Sequence, residues 1–395
     1  MKLGWKPVVT QIAAALVCAA AAGAQTAPVR ATVKNGLDLA RREEMVEIPA
    51  ASLAALGKPS DLVKVRVKEA GAAAETLSQA VDLDGDAVPD QVVFLADFAP
   101  KQSRTFELTL GDKRVYKKKE DYRVYGRFNR ERWDDFAWEN DRVAHRVYGA
   151  ALETWDEEPL TGSGVDVWLK RTRRLVLNDW YMTEDYHADH GEGADFYSAG
   201  RTRGCGGTGL WRDGKLYTSR NFRKSRVLAP GPLRLVFELE YEPFEAGNAS
   251  VGERKRVIVD AGKHLQRFES LYRPFRRPGQ GEPEVVWAAG IKKDPKSTAR
   301  IERASGVVRT WEPVAGEGNG NMGCGIVIDP ARVADIVEAD GNHLVIGKVA
   351  TGQPAVFYSG SGWDKGGDFT AVADWDRHLD EFARRVASPL EVVVR

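Results

Sequence analysis

Apolar and polar residues alternate with a period of two in many short stretches of the chain. Residues 63–68 alternate valine with lysine or arginine, and residues 233–241 carry an apolar side chain at every odd position. A period of two gives a β-strand one buried and one exposed face. Strand-like stretches continue at short spacing at 256–260, 266–272, 284–287, 344–346 and 390–394. The pattern predicts an antiparallel all-β architecture.

One late segment has the periodicity of a helix instead. Trp375, Leu379, Phe382 and Val386 recur at helical spacing, and Asp374 is a candidate N-cap. The chain contains neither an internal repeat nor a low-complexity linker. We therefore expect an N-terminal β subdomain at 25–112 and a main β-sandwich domain at 113–395.

Residues 1–24 have the composition of a secretory signal peptide. Lys2 and Lys6 precede the apolar stretch 12–22, and small residues follow up to Ala24. The apolar stretch is too short for a transmembrane helix. Val17 occupies the position where a lipoprotein signal has a small residue, which argues against a lipid anchor on Cys18. The sequence predicts cleavage near Ala24, a periplasmic or secreted product, and no membrane insertion.

The net charge of the chain limits the kinds of macromolecule that it is expected to bind. The chain has 57 basic and 57 acidic residues, and removing two leader lysines gives a net charge of 55 − 57 = −2. A nearly neutral protein is not built to bind nucleic acid or an anionic membrane. Cys205 and Cys324 remain after the leader is removed, and the sequence is compatible either with a disulfide or with two buried thiols.

The segment 186–197 is richer in reactive side chains than any other window. It reads Tyr-His-Ala-Asp-His-Gly-Glu-Gly-Ala-Asp-Phe-Tyr. Histidines and carboxylates at this density can transfer protons or bind a metal. A metal site would use His187, Asp189 and His190 with Glu192 or Asp195. The alternative is that these carboxylates cap turns and pair with nearby arginines.

Aromatic and cationic side chains mark a candidate binding face at 133–149 and 164–174. Aromatic rings stack on sugars, and arginine or asparagine side chains reach hydroxyls and carboxylates. The alternatives are cross-strand ion pairs and core tryptophans. The predicted substrate-binding residues are Trp138, Asn140, Arg142, Arg146, Asp166, Trp168, Lys170, Trp287 and Trp363.

A possible calcium site precedes the strand-like residues 92–95. Asp82, Asp84 and Asp86 alternate around Gly85, and Asp90 follows. Acidic oxygens at alternate positions of a glycine-containing loop are typical calcium ligands, although a tight hairpin selects the same residue types. No other cofactor is predicted.

Several motifs together resemble the domain of unknown function 4861 family over nearly all of the chain. They are residues 135–141 (Asp-Phe-Ala-Trp-Glu-Asn-Asp), 146–149 (Arg-Val-Tyr-Gly), 164–168 (Gly-Val-Asp-Val-Trp), Tyr186-His187 with 191–193 and Asp195, and 358–363 (Tyr-Ser-Gly-Ser-Gly-Trp). The resemblance implies an exported bacterial protein associated with the degradation of plant or algal polysaccharides, often rich in uronic acids. It also implies a large antiparallel β-sandwich of the galactose-mutarotase-like, or supersandwich, kind. His145 stands where the family pattern has an apolar residue.

Two bond-breaking chemistries are compatible with these residues. Hydrolysis of a glycosidic bond needs two carboxyl groups, whereas β-elimination from a uronate needs a base and a cation that neutralises the sugar carboxylate. The catalytic candidates are His187, Glu192, Asp195, Tyr186 and Glu139. Glu139, Glu192 and Asp195 suit hydrolysis; His187 or Tyr186 with Lys170, Arg142 or Arg146 suits elimination.

Two other function classes remain open from the sequence. A non-catalytic glycan-binding protein of the envelope would use the same aromatic and cationic face without turnover. A sugar mutarotase or epimerase is suggested only by analogy with the implied fold. Neither would shorten an oligosaccharide.

Overall fold

A computed structural model describes residues 28–157, 159–183, 185–247, 249–275 and 284–395. The predicted signal peptide, including Cys18, lies outside these residues. The described chain consists mainly of antiparallel strands, with one long helix near its end. Within the described part of the chain, no helix is long and apolar enough to span a membrane.

The strands are numbered in chain order. Those of the first half are β1 (Val29–Lys34), β2 (Arg41–Pro49), β3 (Val65–Glu69), β4 (Ser78–Val81), β5 (Gln91–Phe98), β6 (Ser103–Leu110), β7 (Val124–Asn129), β8 (Asp135–Asn140), β9 (Ala144–Val147), β10 (Asp166–Lys170), β11 (Gly193–Ala194), β12 (Cys205–Arg212) and β13 (Lys215–Tyr217). Those of the second half are β14 (Lys224–Pro230), β15 (Arg234–Ala246), β16 (Ala249–Asp260), β17 (Leu265–Phe275), β18 (Glu284–Lys292), β19 (Thr298–Glu302), β20 (Val307–Pro313), β21 (Asn321–Val327), β22 (Val333–Ala339), β23 (Asn342–Ala350), β24 (Ala355–Trp363) and β25 (Glu391–Val394). The helices are α1 (Leu177–Tyr181) and α2 (Val372–Ala387).

Two sheets form the centre of the molecule. One has eight strands in the order β14-β15-β16-β17-β24-β21-β20-β19, and the other has five in the order β13-β12-β18-β23-β22. Alternate side chains of both sheets meet in one core, where the rings of Trp287 and Phe357 stack with centroids 5.7 Å apart. This packing of antiparallel sheets confirms the predicted β-sandwich.

A separate five-stranded sheet, β11-β10-β9-β8-β7, packs on the sandwich through Trp138 and Phe136, which stack on Phe237. Strand β7 lies at the edge of this sheet within residues 114–132, where the alternation of apolar residues predicted no strand. Val124 and Asn129 of β7 are buried, whereas Phe128 is exposed. An edge strand with one exposed face carries little apolar signal.

The N-terminal strands build a smaller core of their own. Strands β25-β1-β6-β3 and β2-β5-β4 form two sheets that enclose residues such as Val33, Phe94 and Phe106. Strand β25 pairs antiparallel with β1, with Ala31 opposite Val394, so residues 391–394 complete this N-terminal sheet. The proposed division at residue 112 stays a prediction.

Helix α2 confirms the late helix. Trp375 and Leu379 are fully buried against β21, where a Cβ on Gly323 would lie 2.4 Å from Trp375 Nε1. Glycine is therefore needed for the helix to approach the sheet. The N-cap is Ala371 rather than Asp374. Asp374 lies three residues later, and its Oδ2 accepts hydrogen bonds from the backbone N–H groups of Thr370 and Ala371 at 3.0 and 3.2 Å.

The two cysteines were open to either a disulfide or free thiols. Both are buried and neither forms a disulfide. Burial raises the pKa of the Cys324 thiol well above its usual value. The thiol form is therefore favoured, and the two residues contribute to the core.

Candidate functional site

A cavity of about 430 Å³ lies between the β9-β10 pair and the 186–197 segment. It is called here the site cavity. Its lining is mixed aromatic and charged, which is typical of a site that binds a polar ligand with flat apolar faces. The lining residues are Arg132, Arg146, Tyr148, Trp155, Leu160, Asp166, Tyr186, His187, Asp195, Phe196, Tyr197, Ser198 and Gly200.

Strand register places the charged residues of the cavity side by side. Arg146 on β9 is directly opposite Asp166 on β10 and Ala137 on β8. Strand β11 pairs with β10 and ends at Ala194, which delivers Asp195 to the same region. Directly opposed residues of antiparallel strands have side chains on the same face of the sheet. The site is therefore built by pairing between segments that are distant in sequence.

Three aspartates converge on one guanidinium in what is called here the Arg146 cluster. Arg146 Nε donates to Asp166 Oδ2 at 2.9 Å, Nη2 lies 3.0 Å from Asp195 Oδ2, and Nη1 lies 3.6 Å from Asp135 Oδ2. Asp166 also accepts a hydrogen bond from the Tyr148 hydroxyl at 3.1 Å. All four charged side chains are nearly or fully buried.

Asp195 is the least satisfied member of this cluster. Although Arg146 is close, neither carboxyl oxygen of Asp195 has a partner in hydrogen-bond geometry among the described residues. Burial raises the pKa of Asp195 well above its usual value, and the negative charge of Asp166 acts in the same direction, while Arg146 opposes both. Burial therefore favours the protonated form of this carboxyl group, although Arg146 lies 3.0 Å from it.

Asp135 is the third carboxyl group of the Arg146 cluster. Burial raises its pKa to about 7, partly offset by Arg146 and by the backbone N–H of Gly149. Three carboxyl groups thus share one guanidinium that lies in contact with them. Burial and the repulsion between like charges favour protonation within this cluster.

His187 lies at the mouth of the cavity, with its side chain 61% exposed. Its Nδ1 is 2.8 Å from the backbone oxygen of Asp195. A carbonyl oxygen can only accept, so Nδ1 carries the hydrogen and Nε2 of the neutral ring remains free to accept a proton. The adjacent Tyr186 is buried, and its hydroxyl has no partner among the described residues.

Arg132 is a cavity residue that the sequence did not single out. Its guanidinium lies 4.6 Å from the centroid of the Tyr186 ring, and within the described ranges no carboxylate lies within ion-pair distance of it. Burial lowers the pKa of Arg132 from its usual value. A half-buried cation without a counter-ion can bind an anionic ligand group.

Glu139 and Lys170 form a buried pair outside the site cavity. Lys170 Nζ donates to Glu139 Oε2 at 2.6 Å, and the two side chains are 0% and 1% exposed. Glu139 also accepts the backbone N–H groups of Val176 and Leu177 at 2.9 and 2.8 Å. These contacts connect β8 and β10 to the start of α1. The predicted catalytic and binding roles of this pair stay predictions.

Three other predicted residues are occupied by protein contacts away from the cavity. Glu192 pairs with Arg174 at 2.6 Å near the surface. Arg142 pairs with Glu43 and Asp368, each at 2.8 Å. The buried Asn140 amide donates to the backbone oxygens of residues 260 and 263.

The four predicted tryptophans are all buried. Trp138 and Trp287 are 0% exposed in the main core, and Trp363 donates from Nε1 to the Asn319 carbonyl oxygen at 2.7 Å. Trp168 stacks on Trp180 and lies behind the Arg146 cluster, with the guanidinium 5.8 Å from its ring. A buried ring presents no open face to a sugar in this conformation.

His145 also lies in the core, stacked on Trp138, and both ring nitrogens lack partners among the described residues. Burial lowers the pKa of His145 to about 3, so the ring is neutral.

The possible metal ligands of the 186–197 segment point to different partners. Asp189 pairs with Arg171 and accepts two backbone N–H groups, while His190 lies 3.1 Å from Asp185. Among the described residues, only Asp82, Asp84 and Asp86 bring ligand oxygens within 4.8 Å of one another. Oxygen ligands in a loop suit calcium. The backbone N–H groups of residues 84–87 occupy part of this set, and Asp90 accepts the N–H of Leu83.

If calcium binds at Asp82, Asp84 and Asp86, chelation is expected to lower the melting temperature, because a ligand bound only to the folded state stabilises it. Differential scanning calorimetry with and without EGTA measures this. Asp84→Asn should remove the shift. An unchanged melting temperature in the wild type rejects the site.

Comparison with known proteins shows where this chain belongs. It is a member of the family described as a domain of unknown function (DUF4861), which matches residues 33–392. The resemblance predicted from the motifs is thereby confirmed. The uncharacterized protein P7 of Formosa agariphila is 30% identical over 379 residues, which cover 92% of this chain and 93% of that protein.

Two solved structures are similar over 93% of this chain, each at 11% identity. One is a protein in glycosyl hydrolase family 38 from Enterococcus faecalis, with a TM-score of 0.48, and the other is an α-mannosidase from Enterococcus faecalis V583, with a TM-score of 0.47. The match covers 47% and 46% of those proteins, so this chain spans less than half of their length.

Proposed function

We propose that this protein is an exported enzyme that hydrolyses glycosidic bonds in uronate-containing plant or algal oligosaccharides and polysaccharides. Asp195 supports the proposal most directly. It is a carboxyl group in the cavity wall, 3% exposed, and burial raises its pKa. Burial therefore favours the protonated form, which can donate its proton to the oxygen of a leaving sugar.

Asp166 supplies the second carboxyl group that hydrolysis requires. Arg146 and the Tyr148 hydroxyl donate hydrogen bonds to its carboxyl group at 2.9 and 3.1 Å. In this mechanism Asp195 protonates the glycosidic oxygen as its bond to the anomeric carbon breaks, and Asp166 accepts a proton from the water molecule that attacks this carbon. Arg146 holds both side chains and so fixes their relative positions.

Arg132 provides the preference for an acidic sugar. Its guanidinium has no carboxylate partner among the described residues and forms part of the cavity wall. Arginine binds a carboxylate through two parallel hydrogen bonds. Aromatic side chains of the same wall, including Tyr148 and Trp155, are suited to contact the apolar face of the sugar ring.

β-Elimination is a second candidate, favoured by the hydrogen bond from His187 Nδ1 to the Asp195 carbonyl oxygen. This bond leaves Nε2 available as the base that removes the proton beside the uronate carboxylate, while Arg132 neutralises that carboxylate. Asp195 would then protonate the leaving oxygen. The two reactions differ in product, because elimination leaves a carbon–carbon double bond.

Turnover on a panel of uronate-containing oligosaccharides tests the proposal. Product length by chromatography and ultraviolet absorbance are followed together. Shortening without new absorbance is the expected result and indicates hydrolysis; shortening with new absorbance indicates elimination. Binding without shortening would support a non-catalytic glycan-binding protein, and an altered anomer or epimer of the same length would support a mutarotase or epimerase. Either of the last two results contradicts the proposal.

His187→Ala distinguishes the two cleavage reactions. If hydrolysis proceeds through Asp195 and Asp166, kcat should fall by less than about tenfold, whereas removal of a general base costs about 10²–10⁴-fold. The melting temperature should be nearly unchanged, because the side chain is largely exposed. A loss of kcat larger than about a hundredfold in a folded variant would favour elimination.

Arg132→Gln is expected to raise KM for acidic oligosaccharides by about 10–100-fold, because one charge-assisted contact contributes about 1.5–3 kcal/mol. Steady-state kinetics on a uronate substrate and on its carboxyl-reduced neutral counterpart measure the effect. The neutral substrate should show little difference between variant and wild type. Equal losses on both substrates would contradict a role in carboxylate recognition.

A further inference from the structure

The exposed Trp133 lies at the edge of the site cavity and belongs to none of the hydrophobic cores of the described residues. Trp133 is 39% exposed and stacks on Trp155, with ring centroids 5.0 Å apart and planes inclined by 23°. Trp155 lines the cavity, whereas Trp133 follows directly after the cavity residue Arg132. The two indoles therefore extend the cavity wall towards solvent.

The backbone at Trp133 adopts a conformation that a large side chain rarely takes. Its φ and ψ are 52° and 41°, and Asp134 also has a positive φ of 65°. The left-handed conformation is unfavourable for residues other than glycine, because the Cβ atom approaches the following carbonyl oxygen. Gly149 makes this turn possible, since a Cβ there would lie 1.8 Å from the Asp134 carbonyl oxygen.

We infer that Trp133 and Trp155 form a stacking platform for a second sugar ring, next to the unit held in the cavity. This inference rests on the proposed function. At 5.0 Å the two indoles already contact each other, so no sugar fits between them and the exposed face of Trp133 is the binding surface. Aromatic faces attract the C–H groups of a sugar ring and exclude water from them.

The order of residues along the chain specifies the ligand further. Arg132 faces the cavity and Trp133 the rim, so consecutive residues contact consecutive sugar units. The ligand is thus an oligosaccharide with an acidic unit beside Arg132 and a unit with an apolar ring face beside Trp133. Single uronic acids occupy only the cavity.

Binding measured by calorimetry tests the platform without relying on catalysis. The ligands are a uronate-containing tetrasaccharide and the corresponding free uronic acid, each titrated into the wild type and into Trp133→Gly, Trp133→Phe and Phe128→Ala. Glycine suits the left-handed backbone, so Trp133→Gly should fold and unfold in one cooperative transition, as the wild type does. Phe128 is a matched control, since it is 41% exposed and lies outside the stack.

Trp133→Gly is expected to weaken tetrasaccharide binding by about tenfold and leave uronic acid binding unchanged. Trp133→Phe should retain most of the affinity, and Phe128→Ala all of it. If folded Trp133→Gly binds the tetrasaccharide as tightly as the wild type, the inference is overturned, while the proposed function still stands on turnover lost in an Asp195 variant. If the wild type binds no member of the uronate panel, both are overturned.

Discussion

Asp195→Asn is expected to lower kcat on the best uronate substrate by about 10²–10⁴-fold, the usual contribution of a positioned general acid. Asparagine has nearly the same shape as a protonated aspartic acid but cannot donate the proton that the leaving oxygen needs. The fold should survive, because asparagine occupies nearly the same volume and Arg146 keeps its hydrogen bond to Asp166. Steady-state kinetics and the melting temperature measure the two effects.

Glu192→Gln is the matched control for this experiment. Glu192 belongs to the same segment, but its carboxylate pairs with Arg174 instead of lining the site cavity. Its activity should remain within about threefold of wild type, because exposed ion pairs contribute little. Similar losses in both variants would show that the segment acts through its structure, and full activity of Asp195→Asn would remove Asp195 as the acid.

The role of Asp195 as a proton donor determines how the activity depends on pH. The raised pKa of Asp195 means that activity should be present at lower pH and disappear as the pH rises through that pKa. The free energy of unfolding also decreases as the pH rises. Asp135, whose pKa is raised to about 7, holds a proton in the folded state that the unfolded chain loses near pH 4. Its contribution is complete below about pH 4 and is lost as the pH rises through about 7.

Lys170→Met is expected to lower the free energy of unfolding by about 3–5 kcal/mol, the usual result of removing one partner from a buried pair. Glu139 would remain buried with its charge uncompensated, although two backbone N–H groups still donate to it. Urea denaturation followed by intrinsic fluorescence measures the change. The effect should be far larger than for Lys293→Met, whose partner Glu338 and own side chain are about half exposed.

A double variant separates charge burial from packing. Lys170→Met with Glu139→Gln should recover much of the lost stability, because glutamine keeps an acceptor for the N–H groups of Val176 and Leu177 without a buried charge. If Lys170→Met alone is as stable as the wild type, the pair does not stabilise the fold. That result would favour its predicted role in substrate chemistry.

The alternation of apolar residues was sufficient to predict the sandwich, because each strand has one buried face and therefore a period of two. It failed at β7, where the exposed Phe128 and the buried Asn129 break the period of two. The position of Asp195, Arg146 and Asp166 in one cavity could not be predicted, since it depends on the register of β9 and β10. Sequence gives strands but not which residues face each other across them.

Arg132 and Glu139 illustrate the remaining difficulty. Arg132 lies in a stretch dense in charge, so nothing local distinguishes an unpaired arginine of the cavity from a solvated one. Glu139 was predicted as a catalytic residue and Lys170 as a substrate-binding residue, yet their side chains form an ion pair with each other. Which cation meets which carboxylate is decided by tertiary packing.

The pairing of β25 with β1 has a consequence for the order in which the molecule is made. Residues 391–394 follow β1 by more than 350 residues, so one edge of β1 stays unpaired until that distant segment has been synthesised. An open strand edge can pair with other chains, and contacts between distant segments form slowly. The sheet that contains β1 is thus completed long after β1 itself has been translated.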